Sequence, residues 1–571
     1  MTLPCHLLSF LLASALSNNH VRARVLQEIV PGPSSEAFNG AVASESVECS
    51  LIGRDLLARG GNAADALVGT TFCVGVIGMY HSGIGGGGFA MLRDANGQYE
   101  AVDFREAAGA AASEDMYQGN VKGSVEGGLA VGVPGEVLGL EYIHKKYGSL
   151  PWKTVMQGPI RIARQGFKVS SDLVRYIGYA VRGDPHNFLL EDPNWAQDFA
   201  PDGQMVQVGD IMTRKRYADT LERIANYGSD IFYTGELAKA MVQHIQQRNG
   251  TLALSDFRDY KVLSRPVRNT TYRGKSLYTV GAPASGSITL NILKTMEQYD
   301  RADTRDTNLT AHRFVEAMRF GYGSRASLGD PGFVKGVDQF EARLVDASHV
   351  RRTKDRISDH HTLPVHDYDP EHVDLPQSHG TSHIVTADKS GMATSLTTTV
   401  NLLFGAKIME PASGIILNNE MNDFSIPGVP NEFGFEPSEA NFIRPFKRPL
   451  SSVAPVIAAH PDGTLFATVG AAGGSRIISA TTLALWHAIE HEMTMKQALL
   501  ERRVHDQVLP NTLLLEYDFD NRTAAALIDK GHNVTWVQPG LSAVQAIRRL
   551  DDASFEAASE PRQRNSAGLS I

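Results

Sequence analysis

Cysteine is scarce in this chain: Cys5, Cys49 and Cys73 are the only three among 571 residues. So few exclude a small scaffold stapled by several disulfides, and no Cys/His spacing of the zinc-framing kind accompanies them. The pair His360-His361 has no such framework either, so no metal is expected. Long basic blocks are also missing. The 54 basic and 63 acidic residues leave a net charge of −9, which argues against a nucleic-acid partner or a polybasic membrane surface. No run beyond the first residues looks transmembrane. There is no Gly-Lys-Ser/Thr for a phosphate loop. The glycine-rich run 83–88 lacks the strand-then-helix order of a dinucleotide site, so its glycines are read as allowing close backbone packing. What is abundant is apolar sequence, 42% of the chain, in mixed helical and strand patterns. That is enough for a large core in an α/β or α+β enzyme.

Residues 7–16 form a short apolar run, followed by polar Ser17-Asn18-Asn19. This has signal-peptide length, and residues 1–17 are expected to be removed on entry to the secretory pathway. The alternative is a weakly anchoring N-terminus. Five N-x-Ser/Thr sequons, at Asn249, Asn269, Asn308, Asn521 and Asn533, fit a glycosylating route. The expected destination is extracellular, with vacuolar or membrane-anchored fates as alternatives. Loss of Cys5 with the leader would leave Cys49 and Cys73 as an even pair. They are either one disulfide, worth about 3 kcal/mol by loop entropy, or two buried thiols.

Residues 46–59 read as an amphipathic helix stopped by Gly60-Gly61, and Asn62 can cap the next. Asn96-Gly97 marks a hairpin between 89–93 and 99–105. Further helices are expected after Pro134, over 152–164, 214–225, 235–248 and 311–322. Residues 351–380, with mixed charges and then His, Asp and Pro, read as an exposed, flexible connector ending at Gly380. Strands then take over. Residues 382–387 and 392–401 flank Asp388-Lys389-Ser390-Gly391; pairing Ala387 with Met392 would set Thr381 opposite Thr398. Alternation would put Thr397, Thr399 and Asn401 on one face. A second hairpin, 453–459 with 465–469, leads through Gly470-Ala471-Ala472-Gly473-Gly474 into a helix over 476–491.

Thr381 matters most. An internal threonine is a poor nucleophile. If the peptide bond before it is cut, its new α-amine, with an ordinary pKa of about 7.7–8.0, can serve as its base. Alone, Thr381 would be only the first residue of a strand.

The surrounding motifs change that reading. Gly-Thr-Ser-His at 380–383, Thr-x-Thr-x-Asn at 397–401, Phe404-Gly405, the run 414–425, Pro449-Leu450-Ser451-Ser452, the glycines of 470–474, Asp103-Phe104-Arg105-Glu106 and the 83–88 run occur in one order. The chain thereby resembles the γ-glutamyltransferase (γ-glutamyltranspeptidase) family, eukaryotic-type, over nearly its whole length. It departs from the usual family residues at Val385, Met392 and Thr394.

The resemblance implies an α+β fold of the N-terminal-nucleophile type, a four-layer αββα sandwich. It implies self-cleavage at Gly380–Thr381 into a large subunit, 18–380, and a small catalytic one, 381–571, that remain a heterodimer. Thr381 would be the nucleophile and Thr399 its orienting partner, with the backbone N–H groups of Gly473 and Gly474 as the oxyanion hole. A γ-glutamyl donor carries an α-carboxylate and an α-ammonium. Arg105, Ser451 and Ser452 would take the first, and Glu420, Asp423 and Asn401 the second. His383 is not expected to act as base. The implied substrates are glutathione and related γ-glutamyl compounds, and the acyl acceptors are water, amino acids or dipeptides. No cofactor is needed. The competing readings are an unprocessed, non-catalytic binding protein on the same fold, or a related acylase with another acyl preference.

Overall fold

In a computed structural model, which describes residues 39–368, 380–429 and 437–571, two β-sheets lie face to face. The first has seven strands in the order Ala567–Ser570, Gly40–Ser44, Gly380–Asp388, Ala393–Asn401, Gly87–Arg93, Tyr99–Phe104 and Leu263–Arg265. The second has six: Phe555–Ala558, Ala543–Arg549, Leu465–Ala472, Val456–Ala459, Lys275–Val280 and Val267–Tyr272. Helices Val47–Ala58, Ala63–Ile77 and Glu136–Tyr147 cover the outer side of the first sheet, with Trp152–Gln165 packed on the first two of them; Gly286–Met296 and Arg476–Glu490 cover the second, with Thr307–Arg325 packed on Gly286–Met296. This is the expected αββα sandwich.

Strand alternation explains the layers. Along Gly87–Arg93, Phe89 and Met91 belong to the core between the sheets, whereas Ala90 and Leu92 join the core under the first helical layer. Along Gly380–Asp388, Val385 and Ala387 face inward and Ile384 faces the helices. Buried on both faces, these strands carry no solvent-facing polar row. The glycine-rich run allows its predicted close packing: a Cβ on Gly86 or Gly88 would lie about 2 Å from the carbonyl oxygens of Thr399 and Thr397.

Local signals mostly hold. Ser46 caps its helix through Cys49 N–H, and Asn62 makes a capping box with Asp65. Cys49 and Cys73 are disulfide-bonded and tie these two helices together.

Two expectations need correction. Ala387 pairs with Ala393, not Met392, so Ser382 rather than Thr381 sits opposite Thr398. The loop is three residues, 389–391, because Asp388 stays in the strand. Its N–H donates to Met392 O, its carboxylate accepts from Ser390 N–H, and Gly391 takes φ +86°, as a three-residue hairpin requires. A bulge between Thr398 and Asn401 then sets Asn401 opposite Gly380. The second correction concerns the connector. Ala347–Arg356 is helical and Val365–Tyr368 forms a short 3-10 turn, with Val350, Ile357 and Tyr368 buried. Apolar residues spaced between the charges anchor it. Residues 369–379 of the connector, like the leader and Cys5, lie outside the described residues.

Both halves of the chain are interleaved in both sheets. The strand Gly380–Asp388 is held on one side by Gly40–Ser44 and on the other by Ala393–Asn401.

Candidate active site

Alternation and the bulge together place the side chains around Thr381. His383 and Thr397, two residues from Thr381 and Thr399, meet between the sheets, where His383 Nδ1 lies 2.8 Å from Thr397 Oγ1 and its Nε2 3.0 Å from Ser395 Oγ. Burial lowers this imidazole to about 3, and its ring packs against Gly470. It is a buried strut between the two sheets. The intervening residues face the helices: Ser382 Oγ donates to Glu45 Oε1 at 2.8 Å, and Thr398 Oγ1 donates to Glu136.

Thr399 is placed on the bond in question. Its hydroxyl donates to the carbonyl oxygen of Gly380 at 2.5 Å and accepts from Asn401 N–H at 2.7 Å. Asn401 sits at φ +72° and donates through Nδ2 to Asn419 O; its side-chain oxygen is buried without a partner. Thr381 is 5% exposed and lines two cavities, one on either side.

The smaller cavity, about 30 Å³, is lined by Arg105, Arg325, Thr381, Thr399, Glu420, Asp423, Ser451, Ser452 and Gly474, among others. It has room for a couple of waters. It is small because its charges close on one another. Arg105 Nη1 binds Glu420 Oε1, and Nη2 binds Asp423 Oδ2 at 2.5 Å, while Nε and Nη2 reach the carbonyls of Pro449 and Leu450. Burial opposes the Arg105 charge, but Glu420 and Asp423 outweigh it and raise its pKa. Burial pushes Glu106 up to about 7 and Glu420 upward too, with Arg105 opposing in both. Ser451 accepts from Val453 N–H, and its carbonyl accepts from Ser285 Oγ at 2.5 Å.

The larger cavity, about 560 Å³, opens on the other side of Thr381 past Gly473, Leu402, Leu403 and His81. Gly473 and Gly474 therefore stand one in each cavity wall. They take φ +127° and +61° in the turn from the strand Leu465–Ala472 into the helix Arg476–Glu490. A Cβ on Gly473 would lie 2.6 Å from Leu541 O, so glycine is required there.

Every sequence-predicted site residue thus borders Thr381, one of the two cavities or their immediate supports. Arg325 was missed. It lines the small cavity and donates through Nε to Ser285 Oγ at 3.1 Å. It ends a helix predicted only to Tyr322, and no local motif marks it. Glu106, quoted only within the motif around Arg105, was given no role, and Glu136 was missed: in sequence they are ordinary acids, and only burial makes them unusual. Glu136, under the hairpin, is pushed by burial up to about 8, against the Thr398 hydrogen bond. It is therefore protonated in the fold at pH values where the unfolded carboxyl, with a reference pKa of 4.5, is ionised. The native state binds the extra proton, so stability falls as pH rises from about 4.5 towards 8. Glu136→Gln is expected to flatten the part of the melting-temperature profile lost between pH 6 and 8. Parallel profiles for the two proteins would contradict the assignment.

Among the described residues, His312, Glu316 and His532 form a buried trio close enough to hold a metal ion. Hydrogen bonds already occupy them. His312 Nε2–H donates to Ser358 O at 2.6 Å, so its Nδ1 accepts from His532 Nε2–H at 2.8 Å, and Glu316 accepts from Thr362 and Tyr368 hydroxyls at 2.7 Å each. Burial lowers the two imidazoles to about 4 and 3. The trio braces the segment 357–368 that leads towards Gly380.

The family model described as Gamma-glutamyltranspeptidase matches residues 49–570. A glutathione hydrolase proenzyme of Arthroderma benhamiae is 46% identical, over 100% of this chain and 99% of that protein. A glutathione hydrolase of Aspergillus flavus is also 46% identical, over 93% and 89%. Among solved structures, cephalosporin acylase from Bacillus halodurans shares the fold at TM-score 0.81 and 23% identity, covering 95% of this chain and 98% of that one. The gamma-glutamyltranspeptidase of Helicobacter pylori aligns at TM-score 0.53 and 31% identity, over 59% of this chain and 95% of that one. The chain belongs to the gamma-glutamyltranspeptidase family.

Proposed function

We propose that this protein is a self-processing γ-glutamyltransferase that hydrolyses glutathione and related γ-glutamyl amides and passes the γ-glutamyl group to water or to an amine acceptor. The observation that carries the reading is the Thr399 hydroxyl on the Gly380 carbonyl, beside a nucleophile that borders a buried cavity in which the Arg105 guanidinium faces two carboxyl groups. A polarised carbonyl next to a hydroxyl is what an intramolecular acyl shift needs.

In the first reaction Thr381 Oγ attacks the Gly380 carbonyl carbon. The C–N bond breaks, the nitrogen becomes the free α-amine of Thr381, and water opens the ester to leave the Gly380 carboxylate. Residues 381–571 then form the small subunit and the preceding chain the large one. Strands from both interleave in both sheets, so the fragments stay together as a heterodimer.

In turnover the α-amine accepts the Thr381 hydroxyl proton while Oγ attacks the donor's γ-carbonyl. N–H groups of Gly473 and Gly474 stabilise the oxyanion. The proton passes to the leaving amine, and the γ-glutamyl ester on Thr381 is then opened by water or an acceptor amine. The donor's α-carboxylate takes over Arg105, with Ser451 and Ser452. Its α-ammonium takes Glu420 and Asp423, with Asn401. The internal ion pairs are exchanged for equivalent ones to the substrate, so no buried charge is left unpaired. No step needs a cofactor.

The Cys49–Cys73 bond supports folding in an oxidising, secretory compartment. Four of the five sequon asparagines are exposed, Asn308 being half-buried.

The expressed chain should run as two fragments on a denaturing gel, the smaller beginning at Thr381, and should release aniline from a γ-glutamyl anilide. A persistently single chain that releases nothing would overturn the proposal. Thr399→Val keeps the shape but removes the donor on Gly380 O. Processing should slow by roughly 10²–10³-fold, read as the decay of the uncut band with time; cleavage at the wild-type rate would remove Thr399 from the mechanism.

A further inference from the structure

The larger cavity has a chemistry of its own. At about 560 Å³ it falls in the size range of small-molecule sites. Thr381 and Gly473 lie at its inner end, with Leu402 and Leu403 alongside. One wall is the helix Ser171–Ala180, which contributes Arg175, Tyr176 and Tyr179, with Arg182 just beyond its end. The facing wall is the segment 538–543. Its lining includes two arginines and no Asp or Glu, the reverse of the small cavity, where Glu420 and Asp423 face Arg105.

Arg175 is held in place. Its Nη2 pairs with Asp172 Oδ1 at 3.0 Å, and its guanidinium lies over the Tyr176 ring at 4.9 Å. Asp172 is itself fixed by Asn565 N–H at 2.9 Å. The other terminal nitrogen, Nη1, reaches across to Gly540: a Cβ on that glycine would sit 3.7 Å from it. So one edge of the fork is anchored and the other faces the cavity.

Acyl transfer adds a constraint. The leaving amine departs from the donor carbonyl, and the incoming amine adds to the ester carbonyl, through equivalent tetrahedral intermediates, so both pass through the same side of Thr381. With the γ-glutamyl end in the small cavity, that side is the larger one.

We infer that the larger cavity is the amine subsite, and that Arg175 selects leaving groups and acceptors that end in a free α-carboxylate, as dipeptides do, with Tyr176, Tyr179 and Leu403 flanking the peptide. This rests on the proposed γ-glutamyl transfer. Arg175 binds and positions the amine partner and takes no part in bond making. A guanidinium fork suits a carboxylate, and an uncharged amide end would leave it without that charge.

The test uses the processed protein with a γ-glutamyl anilide as donor and two acceptors, glycylglycine and glycylglycinamide. The wild type should use glycylglycine with a KM about tenfold lower than the amide. Arg175→Gln should bring the two acceptors to near parity, and Arg175→Lys should restore most of the preference. The ratio is measured within each protein, so a general loss of activity or folding does not mimic it. Anilide hydrolysis with equal use of both acceptors by the wild type, or an undiminished preference in Arg175→Gln, overturns the subsite alone. No anilide hydrolysis by the wild type overturns the proposed function and this subsite with it.

Discussion

Thr381→Ala is expected to give one uncut chain and to lower γ-glutamyl anilide turnover by at least about 10⁴-fold. Two losses coincide. Without Oγ the Gly380 carbonyl has no attacking atom, so the Thr399 hydroxyl polarises a bond that nothing breaks. The uncut chain then lacks the α-amine that would serve as base, and the nucleophile as well. The substitution is otherwise mild. The side chain borders two cavities, and the strand is held by ladders on both sides. The melting temperature should therefore stay close to that of the uncut wild type. Thr381→Ser keeps the hydroxyl and should still be cut, more slowly, because a serine lacks the γ-methyl that restricts χ1. A denaturing gel over time and the anilide assay read both results. A Thr381→Ala chain that is cut at Gly380 would remove the residue from the processing chemistry.

Much of this site was legible because its chemistry is written in short motifs. Thr381, Thr399 and Asn401 lie on one hairpin; two-residue periodicity puts Thr397, Thr399 and Asn401 on one face, and the hairpin alone brings that strand back beside Thr381. The register was less legible. It depended on whether Asp388 counted as turn or strand, and its carboxylate accepting from Ser390 settles that locally. The bulge after Thr398 then moves the register one residue further, setting Asn401 opposite Gly380, which no alternation rule foresees. The connector failed for a related reason. Its charges and prolines dominate the composition, but Val350, Ile357 and Tyr368 are spaced to reach the core. Arg325 was invisible, and Glu106 stood in a motif without a role, because their importance is positional: each becomes unusual only when packing removes water. Thr394, a departure from the usual family residue, simply hydrogen-bonds Thr386 at 2.7 Å.

Arg105→Gln should be the most damaging change in the pocket, for stability and for donor binding together. The guanidinium faces Glu420 and Asp423 directly and is attracted by Glu106. Removing one partner of such a buried cluster costs roughly 3–5 kcal/mol. Burial already holds Glu106 and Glu420 above the usual carboxyl range, and Arg105 opposes that rise. Without Arg105 both carboxyls should move further up. The native state then binds protons that the unfolded chain releases above about pH 4.5, so the deficit should deepen as pH rises and shrink in mild acid. The kinetic consequence is separate. A donor's α-carboxylate loses its cation, and kcat/KM should fall on the order of a thousandfold, as when one partner of a buried charge pair is truncated. Decarboxylated donors, which lack that group, should lose far less. The two readouts divide the possibilities. A lowered, pH-dependent melting temperature with unchanged discrimination between the two donors would make Arg105 only the counter-ion of Glu420 and Asp423. The carboxylate would then have to be held by another cation, and Arg325 lines the same cavity.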